Sequence, residues 1–135
     1  MTKILGCLVA TVLMLPNLAK ADASYSDSSA TVTHDCGKDV NAAFDNASST
    51  ITIIGECDNI AINGASNKIT IVSAKKVAIT GASNEVAIEA AGKIAVTGSA
   101  NIVTYVKGLG KAKAPKVAKT GVGNSVKKVK PAAAK

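Results

Sequence analysis

Few side chains in this 135-residue chain have the type and spacing that chemistry requires. His34 is the single histidine, and no second base or nucleophile is set beside it in a pattern a hydrolytic triad would need. Cys7, Cys36 and Cys57 are too few and too scattered for a zinc site, and their spacing excludes a redox Cys-x-x-Cys. Glu85 and Glu89 are the one carboxylate pair that suggests glycan cleavage, but a cleft on a repeat protein is built from long loops. Only residues 107–116 make such a loop. The glycines recur as turn residues rather than in a phosphate-cradling motif. The sequence therefore predicts no catalytic residue, no metal site and no cofactor. What remains is lysine: all sixteen basic residues are Lys, with no Arg.

The elements that carry these residues follow from an internal repeat. Ile60-Ala61-Ile62-Asn63-Gly64 recurs as Val77-Ala78-Ile79-Thr80-Gly81 and as Ile94-Ala95-Val96-Thr97-Gly98, a step of 17 each time. Each glycine opens a turn into a second apolar alternation. Gly64-Ala65-Ser66-Asn67 leads to Ile69-Thr70-Ile71, Gly81-Ala82-Ser83-Asn84 to Val86-Ala87-Ile88, and Gly98-Ser99-Ala100-Asn101 to Val103-Thr104-Tyr105. Asn46-Ala47-Ser48-Ser49 before Ile51-Thr52-Ile53 is a partial copy upstream. Val117-Ala118-Lys119-Thr120-Gly121 is another, 23 residues downstream of its predecessor, so six residues are inserted around Gly108 to Ala114.

Strict alternation over short runs predicts strands with one buried face, joined by Gly/Asn turns. The expected fold is all-β: a small single-domain β-solenoid of four to five coils, with two short strands in each 17-residue coil. The alternative is a small antiparallel β-barrel or sandwich. A fixed period favours the solenoid, because identical coils put identical residues in register. Four inward columns result. The first is Ile60, Val77, Ile94, Val117, and the second Ile62, Ile79, Val96, Lys119. The third is Ile51, Ile69, Val86, Val103, Val126, and the fourth Ile53, Ile71, Ile88, Tyr105, Lys128. Two columns end in lysine, as a terminal coil with a solvated outer face requires. Asn67, Asn84 and Asn101 fall at one corner, where they form either a side-chain ladder or three separate turns.

The repeated unit Gly-x-x-Asn-x-Val-x-Val, carried here by Gly64 to Ile71, Gly81 to Ile88 and Gly98 to Tyr105, resembles the bacterial domain of unknown function 3060 family. The similar region runs from about Asp35 to Val126. Gly-Ala-Ser-Asn turns replace the family's more usual Gly-Asp-Gly-Asn-like turns. The resemblance implies a repeat fold and carries over no functional residue.

Residues 1–23 read as a secretory signal peptide. Lys3 supplies the charge, Ile4 to Leu15 the apolar run, and Ala19-Lys20-Ala21 and Ala21-Asp22-Ala23 two overlapping cleavage sites. Cleavage is expected after Ala23, with Ala21 as the alternative. The apolar run is short of the ~20 residues a membrane span needs. Ile4-Leu5-Gly6-Cys7 imitates a lipobox, but the hydrophobic residues follow its cysteine instead of preceding it. Export leaves Cys36 and Cys57, which are expected to pair. Closing that loop stabilises by about 3 kcal/mol. The aromatics are only Tyr25, Phe44 and Tyr105; residues 24–44, with two of them and His34, are expected to cap the first coil.

Charge divides the rest. Residues 24–106 sum to −3, whereas residues 107–135 carry nine lysines and no acid. The expected layout is a core at 45–106, a Lys-rich loop at 107–116, a terminal coil at 117–129 and a disordered tail at 130–135. Lys107, Lys111, Lys113, Lys116, Lys119, Lys127, Lys128 and Lys130 are the candidate contacts for an anionic envelope polymer or lipid headgroups. Nucleic acid is not expected, since there is no Arg for bidentate readout and no aromatic for base stacking in this region. The reading is an exported, non-catalytic structural or binding protein of the cell envelope, without a membrane span once the signal is removed. The alternatives are a glycan- or protein-binding module using an outward face, a fibre former, and an ice-binding surface. The last rests on the outward columns Ala61, Ala78, Ala95, Ala118 and Asn63, Thr80, Thr97, Thr120.

Overall fold

A computed structural model of the chain describes residues 22–131. Residues 1–21 of the expected signal peptide and the last four residues of the expected tail lie outside the described residues. The described residues form nine strands: β1 (Asp22–Tyr25), β2 (Thr31–Asp35), β3 (Asn41–Ala47), β4 (Thr50–Ala65), β5 (Lys68–Ala82), β6 (Glu85–Ser99), β7 (Ile102–Gly108), β8 (Lys116–Val122) and β9 (Ser125–Lys128). No helix occurs among the described residues. Every pairing is parallel, and each strand pairs with the next coil rather than folding back on its neighbour in sequence. That pattern excludes the antiparallel barrel. The chain is a β-solenoid of about five turns.

The columns meet in the expected register. Ile60, Val77, Ile94 and Val117 are successive partners, as are Ile51, Ile69, Val86, Val103 and Val126. The long strands differ from the expected pair of short strands per coil. β4, β5 and β6 each run 15 or 16 residues, through both faces and the bend between them. Stacking identical coils continues the interstrand hydrogen bonds around that bend, and only a register shift between Ile53 and Glu56 marks it. The inward side chains are buried to 2% exposure or less from Ile51 through Val103.

Residues 24–44 are wound into the stack rather than laid over it. β1 pairs with β3 and β2 with β4, so Tyr25 and Phe44 join the column of Ile62, and His34 joins that of Ile53. The Tyr25 and Phe44 rings stack with centroids 4.9 Å apart, and His34 meets Phe44 edge-on. Cys36 and Cys57 form a disulfide, both buried, beside this cluster.

The other corner is built on asparagine. The backbone N–H of Asn67 donates to Asn84 Oδ1 and that of Asn84 to Asn101 Oδ1, at 3.0–3.1 Å. Each side-chain amide also donates to a carbonyl of the coil before it, Asn84 Nδ2 to Gly64 O and Asn101 Nδ2 to Gly81 O. Ser49 and Asn124 extend this ladder at its two ends, Ser49 N–H donating to Asn67 Oδ1 and Asn101 N–H to Asn124 Oδ1. A turn interior would otherwise hold unpaired backbone groups, which are costly when buried. The turn also needs its glycines. Gly81 has φ 135°, and a Cβ there would lie 1.8 Å from the Gly64 carbonyl oxygen.

Candidate functional site

His34 is the first candidate to place, and it is structural. It is 2% exposed. Nε2 lies 2.8 Å from the Asp39 carbonyl, which only accepts, so in the neutral ring Nε2 carries the proton. Nδ1 then accepts from the Tyr25 hydroxyl at 3.0 Å. No substrate reaches this ring. Glu85 and Glu89 both project outward from β6. Four residues along a strand separate them by about 13 Å, beyond the roughly 5–9.5 Å that paired-carboxylate glycosidases use. No cluster of three or more His, Cys, Asp or Glu that could hold a metal occurs among the described residues.

The described lysines of the C-terminal region are all exposed, but they occupy several surfaces. Lys107 is the penultimate residue of β7, paired with Ala90. Lys111 and Lys113 lie in the inserted loop, which runs between β7 and β8. Lys119 and Lys128 stand at the inward positions of the last coil, partnered with Val96 and Tyr105. Lys127 points outward from β9 in register with Thr104, and Lys130 follows that strand. The fold thus spreads these seven over the end of the stack and both of its faces.

Lys116 belongs to a different group. It is the register partner of Lys93, and Lys93 of Lys76. These three lysines form one file along the solenoid axis, with rows about 4.8 Å apart. Beside it runs Ala78, Ala95, Ala118, and beyond that Thr80, Thr97, Thr120. Three consecutive coils therefore present the same outward Lys-x-Ala-x-Thr row. Toward the N-terminus the file continues as Asn59 and Asn41, hydrogen-bonded at 3.0 Å. A shallow trough of about 400 Å³ lies there, lined in part by Asn41, Ala43, Asn59, Ala61, Lys76 and Ala78.

Reading lysines by their position in the linear sequence missed Lys76 and Lys93. Their signal was available, since Lys76, Lys93 and Lys116 are separated by the same 17 and 23 residues as the repeat. Neighbouring Lys75 behaves otherwise. Its ammonium donates to Asp58 Oδ1 at 2.9 Å. That hydrogen bond and the Asp58 charge hold its pKa above the ordinary 10.5. Such a contribution is present below the ordinary value and lost as pH rises through the raised one, and solvent screening keeps it small at this exposed pair. This is the one ion pair among the described residues, so the Lys76–Lys93–Lys116 file has no carboxylate partner there.

No curated protein and no solved structure matches the chain. The family model described as Protein of unknown function (DUF3060) matches twice, over residues 46–90 and 73–123. The overlap of the two matches reflects the repeat, and together they run from the Asn46 corner to the last turn of the stack. Since they cover more than half of the sequence, the chain belongs to the DUF3060 family of proteins of unknown function.

Proposed function

We propose that this is an exported, non-catalytic protein of the cell envelope whose lysine-rich C-terminal region contacts anionic surface polymers or lipid headgroups. The observation that carries the reading is the charge division. Nine lysines and no acid follow Val106, and every lysine of that region that is described is exposed. A cationic surface of this kind attracts polyanions over about a Debye length, near 10 Å at moderate salt. The buried Cys36–Cys57 disulfide suits an oxidising compartment outside the cytoplasm. No helix among the described residues is long and apolar enough to cross a membrane.

The strand boundaries favour the second of the two expected processing sites. β1 begins at Asp22, paired with Asn41, and Ala23 packs against the core. Cleavage after Ala23 would remove half of β1, whereas cleavage after Ala21 leaves it whole. Cleavage after Ala21 is therefore the better reading, and N-terminal sequencing of the exported protein decides it.

The main test is sedimentation of the mature protein with isolated cell envelopes across a salt series. A variant with Lys111, Lys113, Lys127, Lys128 and Lys130 changed to Gln is run beside it. The expected outcome is binding by the parent at low salt, lost at moderate salt and weakened in the variant. Equal sedimentation of the two at low salt would refute the reading.

A further inference from the structure

We propose that the file Lys76–Lys93–Lys116 is a binding site for a linear polyanion, a polymer bearing carboxylates or phosphates, laid along the solenoid axis over the outward Lys-x-Ala-x-Thr face. The inference rests on the envelope reading above and deepens it. It names the ligand class, and it places two of the three cations outside the C-terminal region.

Three features of this face support the assignment. The first is electrostatic. Like charges directly opposite on neighbouring strands destabilise a sheet. Here three ammonium groups are set in successive rows, spanning about 10 Å, and their file reaches an acid only at Asp22, three rows before Lys76. The acids on the outward columns of this face are Asp22 and Asp45, both at its N-terminal end, and Asn63 Nδ2 donates to Asp45 Oδ1 at 2.7 Å. The fold gains nothing visible from this repulsion, whereas a chain of regularly spaced anions relieves it and releases its own condensed counterions.

The second feature is shape. The residues beside the lysines are alanines, half-buried at Ala78 and Ala95, so a polymer strand can lie close to the sheet. The exposed threonine hydroxyls of Thr80, Thr97 and Thr120 border the far side of the same floor. The trough at Asn41 and Asn59 prolongs the track beyond Lys76 with uncharged amides.

The third feature separates a polymer from a membrane. A membrane-seated surface combines cations with apolar side chains that enter the lipid. Among the described residues the exposed large apolar side chains are Ile54, Val72, Ile102, Val117, Val122 and Val129, and none stands in the lysine, alanine or threonine column. The cations also form a line along one axis rather than a patch.

The experiment uses the full mature protein and three probes. These are polygalacturonate for carboxylates, polyphosphate for phosphates, and vesicles of phosphatidylcholine with about a third phosphatidylglycerol for a membrane. The variants are K76Q/K93Q, the charge-retaining K76R/K93R, and the five-lysine C-terminal variant above. Thermal melts check that each is folded.

The expected result is that K76Q/K93Q binds one or both polymers at least tenfold more weakly. Its plot of log affinity against log salt should also be shallower by roughly two phosphate-type contacts. K76R/K93R keeps the parent's binding, and vesicle binding is unchanged in K76Q/K93Q. The polymer that responds identifies the anion.

Polymer binding by K76Q/K93Q equal to the parent's overturns the proposal. So does an equal loss on vesicles and polymers, which would make the file a general basic surface. If the five-lysine variant alone loses envelope binding, this inference fails while the envelope function stands. If K76Q/K93Q loses polymer binding but the parent does not sediment with envelopes, the site stands and the envelope reading fails.

Discussion

The two ends of the stack are closed by opposite means. At the N-terminal end the columns of Ile62 and Ile53 finish in Tyr25 and His34, which pack on Phe44 and share a hydrogen bond, and the Cys36–Cys57 disulfide fastens this end. At the C-terminal end the same columns finish in Lys119 and Lys128, and every residue of β8 is exposed. A solenoid presents an unpaired strand edge at each end, which invites further strands unless something blocks it. One edge is sealed by packing and the other by hydration. Stability should therefore be concentrated toward the first end, and resistance to association should depend on the second.

The largest expected effect tests the sealed end. Phe44 is fully buried between Tyr25, His34 and the Ile62 row. Phe44→Ala should cost about 3–5 kcal/mol, read as a fall in the denaturant midpoint. Val117→Ala, at a column end already 41% exposed, should cost under about 1 kcal/mol by the same area argument. Equal losses would mean that the two ends are closed alike.

The disulfide comes next. Replacing both Cys36 and Cys57 by serine should cost about 3 kcal/mol from loop closure alone. Amide exchange should locate the loss, speeding in β1 to β3 and leaving β6 almost unchanged. Uniform acceleration through the stack would show a single cooperative unit with no privileged end.

The asparagine ladder sharpens the gradient. Asn67→Ala leaves the Ser49 N–H and the Asn46 carbonyl without their partners in a buried corner. Water entering from the surface can restore part of this, so the expected cost is about 2 kcal/mol. Asn124 makes the equivalent contacts at the half-exposed last rung, and Asn124→Ala should cost about half as much or less. Thermal melts of the pair measure the difference directly.

Much of this arrangement was legible in the residues. The 17-residue step gives the inward columns, because parallel stacking places equivalent side chains over one another. It gives the Asn67, Asn84 and Asn101 corner for the same reason. The N-terminal turns were less legible. Tyr25, His34 and Phe44 take column positions that hold Ile or Val elsewhere, and the repeat's Gly-Ala-Ser-Asn turn is missing, so residues 24–44 look like a separate cap. The continuity of β4 to β6 around the bend comes from neighbouring coils, and no local alternation encodes it. Lys76 and Lys93 were hidden for another reason. Their grouping with Lys116 exists only across coils, whereas a charge run is read along the chain.

The smallest effect on stability tests the solvated end most sharply. Lys119 and Lys128 occupy inward columns, yet both are exposed and no described strand stacks beyond them, so their ammonium groups remain in water. Replacing both by valine should change the unfolding free energy by less than about 1 kcal/mol, since both sites are exposed. The same change completes the apolar columns up to the edge and removes the charges that make an incoming strand costly. The double variant should therefore sediment as concentration-dependent larger species under conditions where the parent does not. Salt gives an independent check. Screening should promote association of the parent if lysine repulsion is what guards the edge, and should have less effect on the variant, which lacks those charges. A double variant that sediments like the parent at every concentration would assign the guarding of that edge to something else. The loop from Leu109 to Pro115, exposed from Gly110 to Ala114, is then the element to shorten.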